Sequence, residues 1–140
     1  MEYNAPFFGL HEVYFLVLKE EKGERFALEM MQRVMERTLG KSYTFSGFKK
    51  GDAHSFARAV QARDEAVGLK VELEATDSKI VYRFLTDPFP NLKGQVDAEK
   101  LDATFMRFKV EFLLGKGWSY HTAKHLWNGD KFTEHVIEKK

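Results

Sequence analysis

Apolar and polar residues alternate most cleanly between positions 70 and 84. Val71, Leu73 and Ala75 alternate with Lys70, Glu72 and Glu74, and Ile80, Tyr82 and Phe84 resume the pattern after Asp77-Ser78. A period of two is the mark of a strand with one buried face. A two-residue loop pairs Ala75 with Ile80, Leu73 with Tyr82 and Val71 with Phe84, so both apolar sets fall on one side. The same register sets Glu72 across from Arg83 on the outer side, a favourable cross-strand pair. Two separate patterns therefore demand the same hairpin.

Most of the remaining chain follows helical spacing. Residues 10–21 are apolar at almost every position, which fits either period; the segment is read as helix because it runs into a helical pattern after Gly23. Over 24–39, Phe26, Met30 and Val34 share a face with Ala27, Met31 and Met35, and Gly40 supplies the stop. Residues 41–51 read as a loop with Tyr43, Phe45 and Phe48 as anchors. Asp52 caps a third helix running to Ala66, with Phe56, Ala57 and Val60 as its stripe. Asp87-Pro88-Phe89-Pro90-Asn91 forms a stiff loop, since neither proline can donate to a ladder. Asp97 caps a long helix facing inward through Leu101, Phe105, Phe108 and Phe112 and ending near Gly115.

Beyond Gly115 the pattern returns to strands on either side of Asn128-Gly129, a dipeptide suited to a tight hairpin turn. A two-residue loop places His121, Ala123, His125, Trp127, Phe132, Glu134 and Val136 on one face. Tyr120, Thr122, Lys124, Lys131, Thr133 and His135 then form a polar opposite face. A three-residue loop with left-handed Gly129 is the alternative, and it moves Thr133 and His135 beside His121 and His125. The order of elements predicts an α+β fold, with helices packed on a mostly antiparallel sheet built from two hairpins, in a single domain over 1–140.

Composition narrows the function classes. The 140 residues are 44% hydrophobic and 31% charged, with 13 phenylalanines, which predicts a soluble domain with an aromatic core. A net charge of +1 without a long basic block argues against nucleic acid as a partner. The absence of cysteine excludes disulfides, thiolate metal sites and thiol catalysis. No early apolar run is long enough for a signal peptide or a membrane span, so the expected setting is cytoplasmic and away from membranes.

The final hairpin gathers the candidate chemistry. His121, His125 and Trp127 share a face in either register, and Glu134 lies diagonally between the histidines in the first. The alternative to a functional role is that these histidines are hydrogen-bonded core groups. No metal is expected: four residues along a strand separate two side chains by about 13 Å, too far for one ion. His11 and His54 stand alone. Gly40-Lys41-Ser42 lacks the upstream glycine of a phosphate loop, and no Gly-x-Ser-x-Gly elbow occurs.

The run His121-Thr122-Ala123-Lys124-His125-Leu126-Trp127-Asn128-Gly129-Asp130-Lys131-Phe132-Thr133-Glu134-His135, following a long helix, resembles the ending of the L-2-amino-thiazoline-4-carboxylic acid hydrolase-like family. Asp87-Pro88-Phe89 matches a Cys-Pro segment of that family, and Asp87 and Thr133 stand where it carries cysteines. The resemblance covers roughly the last 60 residues and is similar in architecture to the 4-vinyl reductase domain, with a pocket between helices and sheet. It implies a small-molecule-binding domain without thiol chemistry, its pocket lined by Phe105, Phe108, Phe112, Trp127 and Phe132 and its polar contacts supplied by His121, His125 and Glu134. Two alternatives stand beside it. One is a hydrolase of a small cyclic amide or amidine-like substrate using Glu134 or Asp87 as base, a histidine as acid and Thr133 as the available hydroxyl. The other is a module that forms a homodimer through its aromatic surface. The sequence names no cofactor.

Overall fold

The computed structural model describes residues 2–43 and 47–140 and has the expected α+β architecture. Three helices, α1 (Ala5–Lys22), α2 (Glu24–Ser42) and α3 (Ala53–Ala66), precede the hairpin of β1 (Val71–Ala75) and β2 (Lys79–Phe84). Helix α4 (Ala98–Leu113) follows, then β3 (Trp118–Lys124) and β4 (Thr133–Lys139). The two hairpins join edge to edge into one antiparallel sheet of order β1-β2-β4-β3.

Local chemistry explains the boundaries. Asn4, Asp52 and Asp97 cap α1, α3 and α4 by accepting hydrogen bonds from the backbone N–H of Phe7, Ser55 and Lys100. Gly23 takes a φ of 90° and turns the chain sharply from α1 into α2. Helix α2 passes through Gly40 rather than stopping there, because the stacked rings of Phe108 and Phe112 lie over that glycine. Of the predicted loop anchors, Tyr43 is buried, Phe48 half-buried, and Phe45 lies outside the described residues.

Helices α3 and α4 cover one face of the sheet, and α2 packs on α4 with α1 beside it. The core is filled by Ile80, Tyr82 and Phe84 from the sheet and by Phe56 and Val60 from α3. Helix α4 adds Leu101, Phe105, Met106, Val110 and Leu113. From α2 only the line Ala27, Met31, Met35 and Leu39 is buried; Val34 is exposed. The predicted register of the first hairpin is observed at every pair named above. Arg83 nevertheless binds its neighbour across β4, Glu134, at 2.9 Å and diagonal Glu74 of β1 at 3.5 Å, rather than Glu72 directly opposite on β1.

The second hairpin differs from expectation in two ways. Its outer part has the two-residue register, His121 opposite Val136 and Thr122 opposite His135, but a β-bulge at Ala123 shifts Lys124 opposite Glu134, the pairing of the three-residue alternative. Residues Leu126–Asn128 then form a 3-10 turn closed by left-handed Gly129, in place of a tight Asn-Gly turn. The face that reads as polar is the one turned inward: Tyr82 of β2 pairs with His135, so Thr133, His135 and Ile137 follow Tyr82 into the core.

Candidate functional site

The bulge decides which side chains meet. Upstream of it, Trp118, Tyr120 and Thr122 face the helices; past it, Lys124 points outward over the Phe132 ring and His125 turns in. Beneath the 125–130 turn lies a small polar pocket of ≈10 Å³, bordered by Asp87, Asp102, His125, Trp127, Thr133 and His135. That space accommodates one water-sized group. Phe84, Pro88, Phe89 and Phe105 form its apolar wall and also border a second, mostly apolar cavity of ≈60 Å³ among the helices.

Each polar side chain has a fixed role. The Nδ1 atom of His125 accepts the backbone N–H of Trp127 at 3.0 Å, so its proton resides on Nε2, which donates to Asp102 Oδ2 at 2.9 Å. Asp130 accepts the His125 backbone N–H, and Thr133 Oγ1 accepts that of Leu126. The Trp127 indole donates to Asp87 Oδ2 at 2.7 Å, while Asp87 Oδ1 caps Phe89 N. Buried Glu12 of α1 holds the adjoining loop by accepting from both the backbone and side-chain nitrogens of Asn91. The loop of Asp87 and helix α4 thus converge through carboxylates on one turn.

His135 is 0% exposed, and its Nδ1 lies 3.0 Å from Thr122 Oγ1. Its Nε2 has no hydrogen-bond partner among the described residues; the nearest carboxylate oxygen, Asp102 Oδ2, is 3.8 Å away. Burial pushes the His135 pKa down to about 3, helped by the charge of Lys109. Burial also raises the pKa of Asp102, against the lowering effect of the His125 hydrogen bond. For His125, burial disfavours the cation, but the Asp102 bond and the charges of Asp102, Asp87 and Asp130 outweigh it and raise the pKa. The neutral ring carries its proton on Nε2 and accepts at Nδ1. The same tautomer removes His125 as a metal ligand, and no group of three His, Asp or Glu side chains suited to an ion occurs among the described residues.

A second buried polar cluster borders the apolar cavity. Tyr82 donates a short hydrogen bond to Asp64, and Lys109 Nζ lies 2.9 Å from the Tyr82 oxygen and 3.6 Å from Asp64 Oδ1. The rings of Tyr82, Phe84 and Phe105 surround that ammonium at 5.1–5.6 Å. Burial pushes the Lys109 pKa down, and Asp64 opposes the shift.

The expected site residues divide sharply. Asp87, Thr133, His125, Trp127 and Phe105 meet at the polar pocket. His121 is exposed on the outer side of the sheet, where Glu134 is bound to Arg83 and Phe132 lies under the Arg83 guanidinium. Phe108 and Phe112 stack on each other near Gly40, and Phe112 is 41% exposed. Asp102 and Lys109 were not anticipated, and His135 only in the alternative register. A signal for the first two exists in the spacing: 102, 105, 106, 109 and 113 share one helical face, richer in buried atoms than the 101-105-108-112 line. His135 follows from the alternative register with left-handed Gly129, and the pairing of β4 with β2 decides it.

No family model matches the chain, and no curated protein does. Among solved structures, the chain is similar to a trafficking protein particle complex subunit 3 from Naegleria fowleri covalently bound to palmitic acid. The two share 16% identity over 100% of this chain and 84% of that one, with a TM-score of 0.49. A likeness this low carries no functional inference. No helix among the described residues is long and apolar enough to cross a membrane.

Proposed function

We propose that the chain is a small-molecule-binding domain, resembling the amino-thiazoline-carboxylate hydrolase family in architecture and lacking its cysteines. The ligand places one polar group between Asp102 and His135 and lays a compact apolar body along Phe84, Phe89 and Phe105. The observation that carries this reading is the His135 Nε2 atom, fully buried yet without a partner, in a pocket bordered by two carboxylates. Buried polar atoms are nearly always paired, and leaving one unpaired costs about 1–3 kcal/mol. A ligand atom at that position offsets the cost. The setting of the protein in this reading is cytoplasmic.

Native and denaturing mass spectra of the purified protein test it, followed by amide NMR titration with a small-fragment library. A ligand adduct, or saturable shifts at residues 125–135, should be present in the wild type and in Glu134→Gln and absent in His135→Leu. Binding that survives His135→Leu, or no saturable binding at all, rejects the site.

The raised pKa of Asp102 favours one second reading, a hydrolase of a small cyclic amide or amidine-like substrate with Asp102 as base. Thr133 and Asp87 border the same pocket, whereas His125 has no free ring nitrogen to act as base and Glu134 is on the opposite face. Turnover that persists in Asp102→Asn excludes this assignment.

A further inference from the structure

Among the described residues, five of the seven exposed large hydrophobic side chains form one patch on the α1–α2 hairpin. Leu10, Val13, Tyr14 and Val17 of α1 and Val34 of α2 are each between 44% and 63% exposed. Their spacing on α1, three and four residues apart, is a second apolar stripe on the side of the helix away from Phe8, Glu12 and Phe15. Between the helices runs an apolar groove of ≈360 Å³ whose floor is Phe15, Leu18, Ala27 and Met31. Contiguous exposed apolar surface of this kind marks an interaction site.

The charges at the two ends of the patch identify the occupant. The α1 stripe ends in exposed Glu20 and Glu21, beside the Gly23 turn. The α2 stripe runs from Met30 through Val34 to exposed Arg37 and Lys41 at the opposite end, with Arg33 alongside. Because the helices are antiparallel, with Leu10 and His11 beside Val34 and Leu18 beside Ala27, the patch has Glu20 and Glu21 beside Lys22 at one end and Arg33, Arg37 and Lys41 at the other. Neither Glu21 nor Arg37 forms an ion pair within the chain among the described residues. A two-fold axis through the middle of the groove, perpendicular to the helices, lays the acidic end of one copy on the basic end of the other. An axis along the helices would oppose like charges. The patch is thus complementary to itself in one orientation.

We propose that the α1–α2 face is the interface of an isologous homodimer, with Tyr14 and Val34 at its centre and Glu21 of each copy against Arg37 of the other. This face is separate from the polar pocket, so the dimer stands or falls independently of the ligand.

Sedimentation equilibrium of the full chain over a wide dilution series tests the proposal. The wild type should give a dimer mass, and Tyr14→Glu should give a monomer with an unchanged circular dichroism spectrum, since that side chain lies outside the core. Glu21→Lys and Arg37→Glu should each weaken association by about tenfold or more, and the chain carrying both should recover it, because each repulsive pair becomes attractive again. A wild type that stays monomeric throughout overturns the proposal. So does a dimer indifferent to Tyr14→Glu, or a double variant no tighter than the single ones.

Discussion

The two hairpins of the sheet were built from similar amounts of sequence and came out differently. The β1–β2 hairpin keeps one unbroken ladder, buries an apolar set and holds no pocket on its own. The β3–β4 hairpin breaks its ladder at Ala123, folds its turn around three carboxylates and buries two histidines. In the first, backbone pairing and apolar packing ask for the same arrangement. In the second, the backbone gives up ladder bonds near the turn and side-chain hydrogen bonds replace them. Regularity accompanies stability here, and irregularity accompanies the candidate site.

That contrast can be sharpened by measurement. Ile80→Ala empties a fully buried position of the regular hairpin and should cost about 2–5 kcal/mol in urea unfolding, the largest effect expected. The irregular hairpin should instead reveal itself through pH. Below the 6.5 of a free imidazole the unfolded chain binds a proton that folded His135 refuses until about pH 3, so stability falls as pH drops across that window. The loss should be about 2 kcal/mol between pH 6.5 and about pH 5, and His135→Leu should flatten the slope. His125 has the opposite sign: its raised pKa contributes stability that is present below the free value and lost as pH rises through the folded one. A stability profile without an acid-side slope would place His135 in a wetter environment than the fold gives it.

Asp102→Asn should cost about 1–3 kcal/mol by weakening the His125 bond, and should lower the His125 pKa measured by NMR. The smallest effect should come from Glu72→Ala, within about 0.5 kcal/mol, because the Arg83 guanidinium is bound to Glu134 and Glu74 instead. A larger loss at Glu72 would mean that Arg83 draws on its β1 neighbour as well as on Glu134 across β4.

The legibility of the sequence follows the same division. Helix caps at Asp52 and Asp97 and the register from Val71 to Phe84 could be read because they depend on neighbours in the chain. The inward face of β4 stayed open between two registers, since it is set by Tyr82, over 50 residues upstream, pairing with His135. Counting apolar residues favoured the opposite face, because Thr122, Thr133 and His135 look like surface until the Thr122–His135 bond and the Leu126 N–H bond to Thr133 are known. Asp87, His125, Trp127 and Thr133 were nameable from residue type and from the family resemblance, and they do share a pocket. Their partner Asp102 was hidden within a helix whose phenylalanines suggested a different buried line.

The bulge at Ala123 acts on the strand as a frameshift acts on a message. Before it, even-numbered residues face the helices; after it, odd-numbered ones do. One inserted position therefore recodes every residue from Lys124 to the turn without altering the strand that pairs with it. Loss of Ala123 would straighten the strand and leave Lys124 outward and His125 turned to Asp102, because the residues beyond it already follow the shifted frame. The bulge is thus the place where this fold can gain or lose a residue and keep its pocket chemistry.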